Sequence, residues 1–250
     1  MAKVSAKRKD VLQQFTVFEL PEHDGLAMEV YGLVRDATSS LPERPWGQVP
    51  LSTRVSLALL ARLSNDLRCT ALLTQTGYPL QALTLTAASY EVAYGMAYIG
   101  VDDTWAQVWR DHDDPGRMPF GSVYDLTVAG MRKLEIPNAE ERAREEYETL
   151  YRILCQGKHA NPLLQRRFGH RVNAFAQEVI SENGPDTSDF AIQSGWFALE
   201  SSIALTLIGI RSFIMNHVPS EQRAALLDRC DALADRRVAL ADTARRRWRS

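Results

Sequence analysis

The sequence predicts an all-α protein, a helical bundle, from three features of its pattern. Apolar residues recur every four positions after Ser52, as in an amphipathic helix: Val55, Leu59, Leu63 and Leu67. The segment from Pro79 to Gly100 is apolar or small on every face, which is typical of a central helix. Alternating β-branched and aromatic residues, the signature of strands, are nearly absent. We therefore expect roughly five long helices and several short ones.

Capping residues, prolines and glycines set the bounds of the predicted helices. In chain order, these helices run from Asp24 to about Ala37, from Ser52 or Thr53 to just before Gly77, from Pro79 to Gly100, from Asp102 or Asp103 across Trp105 and Trp109, from Ser122 to about Leu134, from Asn138 into the segment RILCQGKH, from Asp186–Ser188 to about Asn216, and from Pro219 onward. Between Asn161 and Asp186 the hydrophobic period is lost, and we expect irregular structure with a short helix or strand.

The proline-rich sequence SSLPERPWGQVP divides the chain into two parts. Its prolines and glycine interrupt any continuous helix. We therefore predict an N-terminal arm at residues 1–50, containing a short helix and this linker, and a single helical-bundle domain at residues 51–250.

The composition limits the classes of partner and the compartment. With 29 Lys and Arg against 31 Asp and Glu, the formal net charge of -2 gives no general attraction to nucleic acid or membrane, so any such binding needs a local patch. The three widely spaced cysteines, Cys69, Cys155 and Cys230, do not form a disulfide framework, which favours a reducing, cytoplasmic location. The apolar stretch from Phe190 to Ile210 contains polar residues, so we interpret it as a core helix and expect no membrane association.

Glu91 is the most informative residue for function. It is the single charge on the otherwise apolar helix from Pro79 to Gly100. A buried carboxylate costs several kcal/mol unless a cation or hydrogen-bond donors meet it. We therefore expect a partner, and the sequence leaves four candidates open: Arg68, Arg152, Lys158 and His159.

Arg152 and His159 are seven residues apart, close to two helical turns, and would lie on one stripe if Gly157 does not break the helix. An arginine that holds a phosphate and a histidine that moves a proton are the minimal parts for metal-free RNA cleavage by the 2′-hydroxyl group. We expect neither metal nor cofactor in this chemistry. Further basic residues could track an RNA strand: Lys158, Arg166, Arg167, His170 and Arg171.

The segment RILCQGKH, an Arg-x6-His pattern, resembles the Arg-x4-6-His motif of the HEPN superfamily of helical proteins. The longer segment YRILCQGKHANP is similar to a Tyr-x-x-Leu-Cys-x-x-x-His signature in bacterial helical proteins related to that superfamily. In those relatives the preceding buried helix carries a Glu, as Glu91 does in AASYEVAY, and an Arg precedes it, as Arg68 does here. The resemblance covers roughly Leu51 to Pro162 and the long helix after Asp186. Ile153 stands where active members usually have a polar residue.

The resemblance implies an all-α fold and frequent homodimers whose paired motifs form one cleft. In active members it implies metal-independent RNA endonuclease activity in toxin-antitoxin or phage-defence settings. Transferred to this chain, His159 would be the general acid/base, Arg152 would bind the scissile phosphate, and Glu91 with Arg68 would orient them.

Other interpretations of the same residues stay open. Glu91 and its cationic partner could form a purely structural buried polar clasp in a helical protein that acts by binding a protein partner. Cys155 and His159 could form a thiolate and base pair, although a buried cysteine usually behaves as a small hydrophobe. The acidic run at residues 111–114 has metal-ligand residue types but precedes Pro115-Gly116, where acidic residues commonly solvate a turn.

Overall fold

The computed structural model describes residues 16, 19–114, 119–158, 170–173, 178–181 and 185–247. The described helices are α1 (Pro21–Ser39), α2 (Leu51–Gln75), α3 (Pro79–Ile99), α4 (Asp103–Arg110), α5 (Val123–Lys133), α6 (Ala139–Glu146), α7 (Arg152–Lys158), α8 (Asp189–His217) and α9 (Ser220–Arg247), with a 3-10 turn at Trp46–Gln48 and a π-helical segment at Tyr147–Tyr151. The predicted all-α class is confirmed. A short antiparallel hairpin, β1 (His170–Asn173) and β2 (Glu178–Ser181), lies in the segment where the sequence lost its helical period.

Three helices, α2, α3 and α8, pack against one another and form the centre of the bundle. Glycines on α8 allow α2 to approach closely: a Cβ at Gly209 would overlap Leu63 Cδ1, and one at Gly195 would lie 3.1 Å from Thr74 Cγ2. These small residues therefore serve packing within the chain. Helices α5 and α7 pack on α3, and α9 packs on α8.

Helix α1 belongs to the bundle rather than to an arm outside it. Leu26, Val30 and Leu33 are fully buried in the main core, and α1 packs on α8, α9 and α2. The prediction of an N-terminal arm therefore does not hold for residues 21–39, because the apolar stripe of this helix is covered by distant parts of the chain. Residues 1–15 lie outside the described residues.

Polar caps fix several helix starts. Ser122 and Ser188 accept hydrogen bonds from the first turns of α5 and α8, and Asp102 does so for α4. At α2 the cap comes from elsewhere in the chain, since the backbone N–H of Ser52 donates to Asp103 Oδ1 at 2.7 Å. One carboxylate thus ties the start of α2 to α4.

Helix α8 is long and apolar enough to cross a membrane by length and composition, and within the described residues it alone has that property. Of its most apolar window, 78% is buried inside the protein. This burial is what the sequence predicted for a core helix.

Candidate functional site

The partners of Glu91 are Tyr151 and Lys158. Glu91 Oε1 accepts a hydrogen bond from the Tyr151 hydroxyl at 2.6 Å and another from Lys158 Nζ at 2.6 Å. The side chain of Glu91 is 17% exposed and that of Lys158 is 34% exposed, so the ion pair lies at the edge of the core. We call Glu91, Tyr151 and Lys158 the clasp, because they join α3 to the segment that ends in α7.

The spacing of the two donors explains how both reach one carboxylate. Tyr151 and Lys158 are seven residues apart, close to two helical turns, and so lie on the same face of their segment. Sequence reasoning included Lys158 among the candidates for Glu91 but missed Tyr151. The spacing could have indicated Tyr151, because Tyr151 and Lys158 are seven residues apart, as Arg152 and His159 are.

Gly157 sets how closely α7 lies on α3. A Cβ at this position would be 3.0 Å from Leu83 Cβ and 3.1 Å from the carbonyl oxygen of Leu80. Helix α7 continues through Gly157 to Lys158, so the glycine does not break it. On the same interface Leu154 is fully buried. The last turn of α7 therefore rests directly on the first turns of α3.

The segment just before α7 is a π-helix that carries aromatic packing into the core. The rings of Tyr147 and Tyr151 stack with their centroids 5.4 Å apart, and Tyr151 lies 4.8 Å from Tyr90. Burial, together with the neighbouring Glu91 carboxylate, raises the pKa of Tyr151 well above its ordinary value. The hydroxyl therefore stays protonated and acts as a donor to Glu91.

Arg152 lies on the outer side of α7. Its side chain is 64% exposed and donates to Glu148, which is half exposed. Since Arg152 follows Tyr151 directly, it is displaced by about 100° around the helix axis from the clasp. The next residue, Ile153, is 40% exposed. The arginine of the motif thus faces solvent while the clasp holds a different side of its helix.

Arg68 is placed away from the clasp. It is exposed on α2, and its guanidinium group lies 4.8 Å from the ring centroid of Tyr31 on α1. Burial raises the pKa of Tyr31 to about 12, and the Arg68 charge opposes that shift. The structure therefore gives Arg68, Glu91 and Arg152 separate partners rather than one shared cluster.

The remaining predicted residues are described only in part. His159, Arg166 and Arg167 lie outside the described residues. The backbones of His170 and Arg171 lie in β1, paired with Ser181 and Ile180 of β2.

The other proposed chemistries gain no support. Burial raises the pKa of the Cys155 thiol, which disfavours a thiolate, and the Tyr151 hydroxyl and Lys158 oppose the shift. Asp111 accepts hydrogen bonds from Arg110 and Gln107. In the part of the chain that the structure describes, no group of three or more His, Cys, Asp or Glu side chains is arranged to hold a metal ion.

The site consists of a helix, α7, held on α3 by side-chain contacts and an exposed arginine on that helix. The clasp and the Gly157 contact fix α7 on α3, and the Arg152 side chain projects from α7 toward solvent. In comparisons with known proteins, no family model, curated protein or solved structure matches this chain.

Proposed function

We propose that this protein is an HEPN-like, metal-independent RNA endonuclease in which Arg152 binds the scissile phosphate and His159 moves protons. The observation that carries the proposal is the position of Arg152, 64% exposed on a helix that the clasp fixes on α3. A guanidinium group is always charged and matches phosphate geometry. Its surface ion pair with Glu148 is worth little, so an RNA phosphate can replace that carboxylate.

The chemistry needs no group beyond the chain and the RNA. His159 would take the proton from the ribose 2′-hydroxyl group, whose oxygen attacks the phosphorus atom while the bond to the 5′-oxygen breaks. Arg152 would stabilise the charge that develops on the phosphate oxygens. The leaving 5′-oxygen would take up the proton that His159 accepted, and the products would be a 2′,3′-cyclic phosphate and a 5′-hydroxyl end.

In this proposal Glu91 is a positioning residue. It contacts Tyr151 and Lys158 within the fold, so it acts on the motif by holding α7 in place. Arg68, with its contact to Tyr31, would support the packing of α1 on α2. Lys158, Arg166, Arg167, His170 and Arg171 would guide the RNA backbone.

The setting follows from the resemblance to the HEPN superfamily. Two copies of the chain would pair so that their Arg152 and His159 residues form one cleft, and the enzyme would act in a toxin-antitoxin or phage-defence system in the cytoplasm. Light scattering at the concentration of the cleavage assay measures whether the chain is a dimer.

The test compares Arg152→Gln with Arg144→Gln. Both arginines are exposed on neighbouring helices, but Arg144 lies on α6, outside the motif. We expect Arg152→Gln to lose RNA cleavage in EDTA by about a hundredfold or more and Arg144→Gln to retain it. Cleavage that survives in Arg152→Gln, or that requires added metal, contradicts the proposal.

The second candidate is a non-catalytic interaction protein, and the clasp favours it. Stability alone accounts for Glu91, because Tyr151 and Lys158 satisfy its carboxylate inside the fold. Exposed Ile153 beside Arg152 would then contact a protein partner. An absence of RNA cleavage by the wild-type protein, with a large loss of stability in Glu91→Ala, supports this candidate over the nuclease.

A further inference from the structure

A second site is suggested by a cleft between the α6 and π-helical segment on one side and α8 on the other. Its volume is about 640 Å³, within the range of small-molecule sites. Glu146, Thr149 and Leu150 form one wall, and Phe197, Glu200 and Ile208 form the other. The lining therefore combines apolar side chains, which can cover a ligand, with charged and polar ones, which can orient it.

Glu200 is buried and Glu146 is half-buried, and the two carboxylates differ in how they are satisfied. Glu200 is paired with Arg237 of α9, and its side chain is 8% exposed. Glu146 Oε1 accepts a hydrogen bond from the Tyr94 hydroxyl at 2.7 Å. Burial raises the pKa of Glu146, and the Tyr94 hydrogen bond and Arg237 oppose that shift. A cation placed in the cleft would therefore relieve the cost of a charged Glu146.

The charges around the cleft favour a positive ligand. Arg142 and Arg237 contribute two positive charges, whereas Glu145, Glu146 and Glu200 contribute three negative charges when ionised. Arg237 forms an ion pair with Glu200, which leaves Arg142 as the other arginine against Glu145 and Glu146. Of these two carboxylates, Glu146 is the less exposed. It lies next to apolar side chains that can cover the body of a ligand.

We infer that this cleft binds a small organic cation, a primary amine on an apolar body, with its ammonium group on Glu146 and its body against Leu150, Phe197 and Ile208. The site lies on the inner side of the segment that continues into α7, and it shares no side chain with the clasp or with Arg152. Binding there is independent of whether the protein cleaves RNA.

The test is calorimetric titration of the full chain with hexylamine, and with hexanol and hexanoate as neutral and anionic analogues of the same length. We expect hexylamine to bind most tightly. Glu146→Gln keeps an acceptor for Tyr94 and removes the charge, so it should raise the Kd for hexylamine about tenfold or more. Glu141→Gln, on the exposed side of the same helix, should leave the Kd unchanged.

A second variant tests the space rather than the charge. Ala204 lines the cleft, and Ala204→Phe should block hexylamine while every charged group remains. Circular dichroism and urea unfolding establish that both variants are folded. The proposal is overturned if hexylamine does not bind, if hexanol binds equally well, or if Glu146→Gln or Ala204→Phe binds hexylamine as the wild type does.

Discussion

Removal of the Tyr151 hydroxyl in Tyr151→Phe should lower the free energy of unfolding by about 1.5–2 kcal/mol. The hydroxyl donates to Glu91 at 2.6 Å, and Tyr151 is 7% exposed. A hydrogen bond to a charged group contributes roughly 1.5–3 kcal/mol. The lower half of that range applies because Glu91 is 17% exposed, so water can reach it, and Lys158 remains as a partner. Urea unfolding at neutral pH measures the change, and the slope of the transition should not alter.

Tyr147→Phe provides the matched control for this experiment. Tyr147 lies in the same π-helical segment and stacks on Tyr151, but no hydrogen bond of its hydroxyl is found within the described residues. It should cost less than about 0.5 kcal/mol. In a Glu91→Met background, Tyr151→Phe should likewise cost less than about 0.5 kcal/mol, because its acceptor is gone. Equal effects of the two Tyr→Phe changes, or an undiminished cost of Tyr151→Phe without Glu91, would refute the clasp.

Two further changes probe packing and protonation. Gly157→Ala should destabilise the protein by about 1–3 kcal/mol in urea unfolding, since its Cβ would meet α3. The control Gly32→Ala places nothing within 4 Å of the new Cβ and should stabilise the protein by up to about 1 kcal/mol. Equal effects of the two changes would contradict the close packing of α7 on α3. Burial lowers the pKa of His217 to about 4 despite the nearby Asp103, so the folded state binds the proton less readily than the unfolded state, and stability present above about pH 6.5 is lost as the pH falls toward 4. The stability difference between wild type and His217→Gln should therefore shrink by up to about 3 kcal/mol between pH 7 and pH 4, and a constant difference would show that His217 is not the group responsible.

The bundle and several of its boundaries could be predicted from the sequence because they depend on local pattern. Ser122 and Ser188 cap helices as their residue types indicate, and the apolar segment from Pro79 is the central helix α3. The burial of α1 depends on partners far along the chain. Leu26, Val30 and Leu33 repeat at helical spacing, but the proline-rich linker after them suggested a separate arm.

Of the site, Glu91 could be predicted from the sequence, whereas its partner Tyr151 could not, for a physical reason. A lone carboxylate on an apolar helix requires a partner, and this requirement singled out Glu91. The choice of partner depends on which helix packs beside it and in what register, so Tyr151 looked like one more core aromatic. The cleft at Glu146 could not be found from the sequence, because α6, α8 and α9 come together only in the folded chain.

The most direct test of the proposed function is the cleavage of RNA in EDTA by the wild type and by His159→Ala, with both proteins shown to be folded. We expect the wild type to produce 2′,3′-cyclic phosphate and 5′-hydroxyl ends, and the variant to lose this activity by about a hundredfold or more. Cleavage that His159→Ala leaves intact, or a wild-type protein that cleaves no RNA in EDTA, would contradict a metal-independent nuclease centred on Arg152 and His159.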